Sequence, residues 1–265
     1  MNPLIVLPEG CVSEIISFTT PADAIRSSVI SRGFKSAAES DIVWDKFLPS
    51  DHQQIVSRSV APVVFDSKKD LYFRLSESPI LLDEGKLSFW LDKTNGKKCY
   101  LLSARQLTIS FSDNQFSWEH TFDADSRFPE VAFLNSVDIL DIRGRIGTRV
   151  LSSRTNYAVY LVFKVSERYH GLESTKARVR FVNQESEYEA VDRATNVILA
   201  ARTPRNLKGR LPEKRTDGWL EVEIGKFYNG ESGDDNGDVE ARLLDSRPFH
   251  AKCGLMIEGV EFRPI

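Results

Sequence analysis

The sequence predicts a mainly β protein, an antiparallel sandwich or jelly roll, preceded by a small three-helix module. Apolar residues recur at helical spacing mainly near the N-terminus. From residue 107 onward, many segments alternate between apolar and polar or charged side chains, a pattern typical of half-buried strands. Convincing amphipathic helices are scarce between these segments. An alternating βαβ layout is therefore excluded, and an all-antiparallel arrangement is favoured.

The composition is that of an ordinary folded protein. Hydrophobic residues make up 41% of the 265 residues and charged residues 28%. The net charge of -3 gives no sign of general nucleic-acid binding through phosphates. Cys11, Cys99 and Cys253 are far apart, which argues against a disulfide framework and favours a reducing compartment. We expect a cytosolic or nuclear protein, because there is no signal-peptide pattern and no stretch of roughly 20 apolar residues that could cross a membrane.

Residues 7–49 contain three helical patterns. The clearest start is Thr20-Pro21-Ala22-Asp23, where the threonine can cap the helix and proline suits the first helical position. The aspartate stands where a capping box has its acid. A module this small cannot bury a large core alone, so it either packs on the rest of the chain or docks on a partner. The apolar positions of the three patterns are Val12, Ile15 and Ile16, then Ala22, Ile25 and Val29, then Val43, Trp44 and Phe47.

The remaining chain is predicted to be a linker followed by strands. Residues 51–87 contain one short helix within 67–78, and their apolar content indicates a packed linker, since flexible linkers are richer in Gly and Ser. Asn95-Gly96 is a hairpin turn signal between two strand-like arms, 87–91 and 98–102. The later segments with period-two alternation are 107–111, 157–165, 177–181, 220–224 and 239–243.

No catalytic constellation is present in the sequence. The four histidines, His52, His120, His170 and His250, are isolated and have no partner at metal-ligand spacing. There is no phosphate-binding glycine loop, nucleophile elbow or HExxH motif. We therefore predict a non-catalytic protein without metal or cofactor. A glycosidase built on two carboxylates is a distant alternative, and no spacing identifies such a pair.

The helical segment contains Leu7-Pro8-Glu9, then Ile15-Ile16, then Pro21-Ala22-Asp23 with Ile25, and then Val43-Trp44. This pattern covers about residues 3–49 and resembles the F-box, a three-helix module that binds a Skp1-type adaptor of cullin ubiquitin ligases. It implies that the adaptor, and through it a cullin, is a partner of this chain. Sequence alone leaves open which apolar positions pack internally. The implied adaptor-binding residues are Leu7, Pro8, Ile15, Ile25, Val29 and Trp44.

The strand-rich part contains the segments RTNYAVYLVFKV, RVRFVN, RTDGWLEVEIGKFYNG, DVEARLLD and GLMIEGVEFRPI. Together these segments resemble the phloem protein 2 family, also called Nictaba-like lectins, and RTDGWLEVEIGKF is the most specific of them. An F-box joined to this domain is the arrangement of plant F-box/phloem protein 2-B proteins. The implied organisation is an F-box at 1–50, a packed linker at 51–87 and a lectin-like β-sandwich at 88–265.

Lectins of this family bind glycans rich in N-acetylglucosamine through two tryptophans and nearby acids. The matching carbohydrate-binding positions here are Phe111, Trp118, Asp238 and Asp245. Three of the four depart from the family pattern, because phenylalanine replaces a tryptophan and aspartates replace glutamates. An aromatic ring stacks on the apolar face of a sugar, and carboxylates accept hydroxyl hydrogen bonds. Phe111 also continues the apolar side of its predicted strand, which indicates a core position instead.

We expect this chain to be the substrate-recognition subunit of a Skp1–cullin–F-box (SCF) ubiquitin ligase. In this hypothesis the lectin-like domain binds a glycan on a glycoprotein target. One alternative keeps the ligase role but has the domain read a protein surface, the sugar site having decayed. The other is a cytosolic lectin or binding module without a ligase role. None of these hypotheses involves nucleic acid or a membrane.

Overall fold

The computed structural model describes residues 7–201, 208–231, 237–247 and 250–265. These residues form two compact units. The helical unit comprises the described residues up to Glu84 together with Phe89–Cys99, and the strand-rich unit comprises Gly85–Ser88 and the described residues from Tyr100 onward. Among the described residues, no helix combines the length and apolar character needed to cross a membrane.

The helical unit begins with four helices joined by short turns. Thr20 caps the second helix, since its hydroxyl oxygen accepts the backbone N–H of Asp23 at 3.2 Å. Ser31 and Ser40 cap the third and fourth helices in the same way. The predicted helix start at residues 20–23 is confirmed. The helices of this unit are α1 (Glu9–Ser17), α2 (Pro21–Ser27), α3 (Arg32–Glu39), α4 (Asp41–Phe47), α5 (His52–Ser57) and α6 (Lys68–Glu77).

Two of these helices are additional to the sequence prediction. Within residues 7–49, α3 buries only the small side chains of Ala37 and Ala38, so it leaves little apolar periodicity to detect. Residues 51–87 contain two helices instead of one, because α5 precedes α6. The core of the unit draws on all the helices, and its helical members include Val12, Ile16, Ala24, Ala37, Ala38, Val43, Trp44, Ile55, Leu71, Tyr72 and Leu75.

The predicted hairpin turn is present. Gly96 has a φ of +68°, and its backbone N–H donates to the carbonyl of Asp92. Glycine adopts this left-handed conformation without the steric cost of a side chain. The boundary between the units passes through the two strands flanking this turn, β2 and β3. The first three strands along the chain are β1 (Ile80–Leu82), β2 (Leu87–Leu91) and β3 (Lys98–Ser103).

The strand-rich unit is an antiparallel sandwich. Its large sheet has the order β3-β14-β8-β12-β11, with β6 paired to β14 and β5 to β6, and its small sheet has the order β10-β9-β13-β7-β4. The elements are β4 (Thr108–Ile109), β5 (Trp118–Thr121), β6 (Val131–Leu134), β7 (Leu140–Gly147), β8 (Thr155–His170), β9 (Thr175–Phe181), α7 (Glu187–Asp192), β10 (Thr195–Val197), β11 (Glu213–Lys214), β12 (Leu220–Asn229), β13 (Asp238–Asp245) and β14 (Cys253–Pro264).

The two sheets pack closely through their apolar faces. Phe227 of β12 meets Phe181 of β9 edge to face, with ring centroids 5.8 Å apart. A side-chain carbon at Gly225 would lie 2.9 Å from the side chain of Val179, so only glycine allows the sheets to approach this closely here. The mainly β fold predicted from period-two alternation is confirmed.

Candidate functional site

Apolar side chains are exposed along the first two helices and the turn that follows them. Ile15 is 50% exposed on α1, and Ile25 is 43% exposed on α2. Val29 lies just beyond α2 and is 86% exposed. Phe18 and Ile30, which sequence reasoning missed, are also exposed. So many apolar side chains within residues 15–30 are typical of an interaction surface.

These exposed positions follow from which helix faces are buried. On α1, Val12 and Ile16 are buried in the core of the unit, while Ile15 is half exposed. On α2 the buried residue is Ala24, which leaves Ile25 outside. Leu7 is 40% exposed and Pro8 is exposed at the start of α1.

Trp44 is placed differently from its predicted adaptor-binding role. Its side chain is fully buried, and the indole N–H donates to the carbonyl of Ala38 at 2.7 Å. The ring centroid lies 5.3 Å from the rings of both Tyr72 and Phe73. An indole enclosed in this way offers no face to a partner, so the assignment of Trp44 to the adaptor surface is corrected to the core of the unit.

Phe111 lies in a tight turn at the edge of the small sheet. Its φ is +63°, a left-handed conformation that is uncommon for a bulky side chain. β4 ends at Ile109, so the apolar alternation predicted over 107–111 stops before Phe111. Its ring is 55% exposed and not in the core. Strained residues of this kind cluster at ligand-binding sites.

Trp118 lies on the buried side of the same turn. Its side chain is 3% exposed, and its indole N–H donates to the carbonyl of Ser110 at 3.1 Å. The predicted stacking role of Trp118 is therefore corrected, because a buried indole has no face for a sugar. The tryptophan instead fixes the residue that precedes Phe111. Trp219 is also internal, and its N–H donates to the carbonyl of Asp125 at 3.0 Å.

The two predicted carboxylates are not brought together. Asp238 and Asp245 are the first and last residues of β13, about 23 Å apart at the usual rise per residue. Their separation of seven residues also puts them on opposite faces, because side chains alternate along a strand. Asp238 is exposed on the outer face, and Asp245 is buried. The assignment of both acids to one sugar site is corrected.

Asp245 lies at the Phe111 end of the small sheet. It pairs in register with Leu140 of β7, and the backbone N–H of Ser110 donates to the next β7 residue, Asp141. The Asp245 carboxylate accepts hydrogen bonds from Arg247 and lies 3.5 Å from the buried ammonium of Lys252. Burial alone would raise its pKa, but these cations outweigh burial and lower the pKa of Asp245. The carboxylate is thus committed to internal partners.

The exposed groups at this edge are those of the turn itself. Phe116 is 79% exposed and lies close to Phe111 along the chain, with Asp113 exposed between them. The sequence analysis assigned no binding role to Phe116, although the Asp-Asn turn signal beside it was an available cue. Two exposed rings and an exposed carboxylate can offer stacking surfaces and a hydrogen-bond acceptor. Within the described residues there is no cluster of three or more histidine, cysteine or acidic side chains able to hold a metal ion.

Comparisons with known proteins identify both parts of the chain. The family model for phloem protein 2 matches residues 97–264, and that for the F-box domain matches residues 4–46. F-box protein PP2-B10 of Arabidopsis thaliana is 41% identical over 99% of this chain and 94% of its own length. F-box protein SKIP3 of the same plant is 41% identical over 97% of this chain and 87% of its own length.

Among solved structures, a family 35 carbohydrate binding module from Clostridium thermocellum covers 62% of this chain and 96% of the module, with 10% identity and a TM-score of 0.35. The two matched families are non-catalytic, and an F-box domain implies binding to Skp1 within an SCF complex. The chain therefore belongs to the PP2-B family of plant F-box proteins, with an F-box domain followed by a phloem protein 2 domain.

Proposed function

We propose that this chain is the substrate-recognition subunit of an SCF ubiquitin ligase. The F-box face would hold the Skp1-type adaptor, and through it the cullin, while the phloem protein 2 domain would bind the target. The observation that carries the proposal is the group of exposed apolar side chains within residues 15–30. Removing such side chains from water on a partner would supply the binding free energy.

The adaptor surface is proposed to consist of side chains that the helical unit leaves outside its own core. The proposed surface contains Leu7, Pro8, Ile15, Ile25 and Val29. It does not contain Trp44, because that side chain is fully buried in the core of the helical unit. The two exposed apolar residues Phe18 and Ile30 are added to the surface.

Replacing Ile15 by aspartate is expected to weaken adaptor capture at least about tenfold, because a charge would be buried in an apolar interface without a partner. The measurement is co-purification of the full chain with a plant Skp1-type adaptor, followed by titration. Val60→Asp is the matched control, since Val60 is 56% exposed in the same unit but outside the F-box helices. Equal adaptor binding by both variants and the wild type would remove the support for this surface.

For the target-binding domain, we propose a glycan site at the turn around Phe111. The ring of Phe111 would stack on an N-acetylglucosamine residue, with Phe116 and Asp113 beside it. Trp118 and Asp245 would support the turn from inside, while Asp238 would take no part. The support for this proposal is the exposed, left-handed Phe111, whose preceding residue Ser110 accepts the hydrogen bond of Trp118.

Substituting Phe111 by alanine is expected to weaken binding of an N-acetylglucosamine oligomer about tenfold, because the stacking surface is lost. Phe111→Trp is expected to strengthen binding, since it provides the larger ring of the family pattern. Calorimetric titration of the full chain gives both affinities. Phe122→Ala is the control, because Phe122 is 74% exposed outside the turn.

The alternative of protein recognition makes a different prediction in the same experiment. A wild-type chain that captures the adaptor but binds no oligomer would leave the ligase role standing and move recognition to a protein surface. Oligomer binding without adaptor capture would instead favour a lectin without a ligase role.

A further inference from the structure

Three arginines lie side by side on the outer face of the small sheet. Arg242 of β13 is in register with Arg143 of β7 on one side and with Arg178 of β9 on the other. Like charges directly opposite one another on neighbouring strands are destabilising. This row therefore needs anions to compensate it.

The neighbouring row of residues on the same face contains a carboxylate, but that carboxylate already pairs with two other arginines. Glu240 of β13 lies between Arg145 and Arg180, whose Nε atoms donate to its two carboxylate oxygens at 2.7 and 2.9 Å. Glu240 is fully buried and is occupied by this pair. The arginine row must find its counter-charges elsewhere.

Asp141 compensates part of the row. Its carboxylate accepts hydrogen bonds from Arg242 at 2.8 and 2.7 Å and from Arg143 at 3.3 and 3.0 Å. Arg178 is compensated less completely. Its side chain is 6% exposed, and its Nε and Nη2 atoms are buried without a hydrogen bond among the described residues. Burial, followed by the neighbouring charge of Arg242, lowers the pKa of Arg178.

A single carboxylate, that of Glu187, fills the space between the arginines. Its oxygens lie 3.0 Å from Arg143 and 3.0 Å from Arg242, and at ion-pair distances of 3.6 Å from Arg178 and 3.7 Å from Arg180. Three of these four arginine side chains are less than a tenth exposed. Glu187 itself is 47% exposed, so the position that it occupies opens to solvent.

We propose that this arginine cluster, Arg143, Arg178, Arg180 and Arg242, binds a phosphorylated side chain of a target protein. Glu187 occupies the phosphoryl position in the free chain and leaves it on binding. The inference rests on the proposed receptor function and names the chemistry of one class of target. It concerns side chains other than those of the Phe111 turn.

Charge favours a dianion at this position over a carboxylate. Five arginines on this face, the cluster and Arg145, meet only three carboxylates among the described residues, those of Asp141, Glu187 and Glu240. A phosphoryl group carries nearly two negative charges and three acceptor oxygens, and so compensates the excess better than Glu187 does. Its third oxygen would also provide an acceptor for Arg178.

The geometry favours a phosphoryl group attached to a protein over a small free anion. The arginines are largely covered, but the position that the half-exposed Glu187 occupies opens to solvent, whereas small molecules are usually enclosed in concave pockets. Arginine clusters on open surfaces are a recurring means of reading phosphorylated segments. Replacement of the Glu187 carboxylate by a phosphoryl group requires only a side-chain rotation. The half-exposed Glu187 side chain can rotate into solvent while the buried Ala190 keeps α7 in place.

The test compares the wild-type full chain with Glu187→Gln and with Asp192→Asn, a control that removes an exposed charge from the same helix. The probes are a Gly-phosphoserine-Gly peptide, its unphosphorylated form and inorganic phosphate. We expect the Glu187→Gln variant to bind the phosphopeptide at least about tenfold more tightly than wild type does, and its melting temperature to rise when the phosphopeptide is added. The Asp192→Asn variant should behave as wild type.

Other outcomes would overturn the proposal. If Glu187→Gln lowers stability and gains no affinity for either phosphate probe, Glu187 is only a structural counter-ion. Inorganic phosphate binding as tightly as the phosphopeptide would indicate a free-anion site and reject a protein source. Should Glu187→Gln fail to fold, Glu187→Asp replaces it, because its shorter carboxylate must also yield more readily to the phosphopeptide. Adaptor capture is not needed for these measurements, so their failure is distinguishable from failure of the ligase role.

Discussion

Replacement of Trp44 by alanine is expected to lower the free energy of unfolding of the helical unit by about 3–5 kcal/mol. The indole is fully buried, and its ring contacts those of Phe47, Tyr72 and Phe73, which come from α4 itself and from α6. The substitution would leave a cavity between these helices and remove the hydrogen bond to the Ala38 carbonyl. The measurement is urea unfolding followed by helical circular dichroism, which reports mainly on this unit.

Ile42→Ala is the matched control, because Ile42 lies on the same helix but is 53% exposed, and its loss should change stability by less than about 0.5 kcal/mol. Comparison of Trp44→Ala with Ile15→Asp separates folding from binding. Trp44→Ala should reduce adaptor capture only to the extent that the unit unfolds, whereas Ile15→Asp should reduce it in a folded chain. A Trp44→Ala protein of unchanged stability that no longer binds adaptor would return Trp44 to the adaptor surface.

The limits of sequence reasoning are clearest for the aromatic residues. Periodicity predicted a core position for Phe111, and resemblance predicted a binding position, but alternation cannot reveal that β4 ends at Ile109 and the chain turns. Whether Trp44 and Trp118 point inward depends on which helix or turn covers them, and a local pattern contains no such information. A buried tryptophan and a stacking tryptophan have the same signature in one sequence.

For the two aspartates of β13, the sequence alone was enough to predict that their side chains lie on opposite faces of the strand. Residues seven apart in a strand lie on opposite faces, so the spacing of Asp238 and Asp245 is enough by itself to separate them. By contrast, hairpin arms 87–91 and 98–102 agree with β2 and β3 to within one residue. Period-two patterns identify strands well when both the alternation and the turn are strong.

The charged face of the small sheet could be predicted, but its burial could not. Alternation in segments 177–181 and 239–243 placed the arginines and Glu240 opposite the core, as the structure has them. Solvent exposure was the natural expectation for such a face. The helix that lies over it, α7, has only six residues and a single fully buried side chain, Ala190, which is too little periodicity to predict.

Substitution of Glu240 by glutamine is expected to lower the free energy of unfolding of the strand-rich unit by about 3 kcal/mol, because the buried Arg180 would lose its hydrogen-bonded carboxylate and keep only the more distant Glu187 at 3.7 Å. Arg180 is 7% exposed and has little access to water, whereas Arg145 is 48% exposed and can be solvated. Denaturant unfolding at neutral pH gives the difference. Asp238→Asn is the matched control, since Asp238 lies two residues away on the same face but is exposed, and it should change stability by less than about 0.5 kcal/mol.

The same substitution makes a prediction about pH. Burial alone would raise the pKa of Glu240, but the hydrogen bonds from Arg145 and Arg180 outweigh it and hold that pKa below its ordinary value. A carboxyl group with a lowered folded-state pKa stabilises the fold fully above the unfolded pKa of about 4.3, and this contribution is lost as pH falls through the folded value. The difference in free energy of unfolding between wild type and Glu240→Gln should therefore be constant near neutral pH and become smaller in acid. If this difference in free energy of unfolding instead becomes larger in acid, Glu240 is protonated in the folded chain. Its assignment as the ionised partner of both arginines would then be wrong.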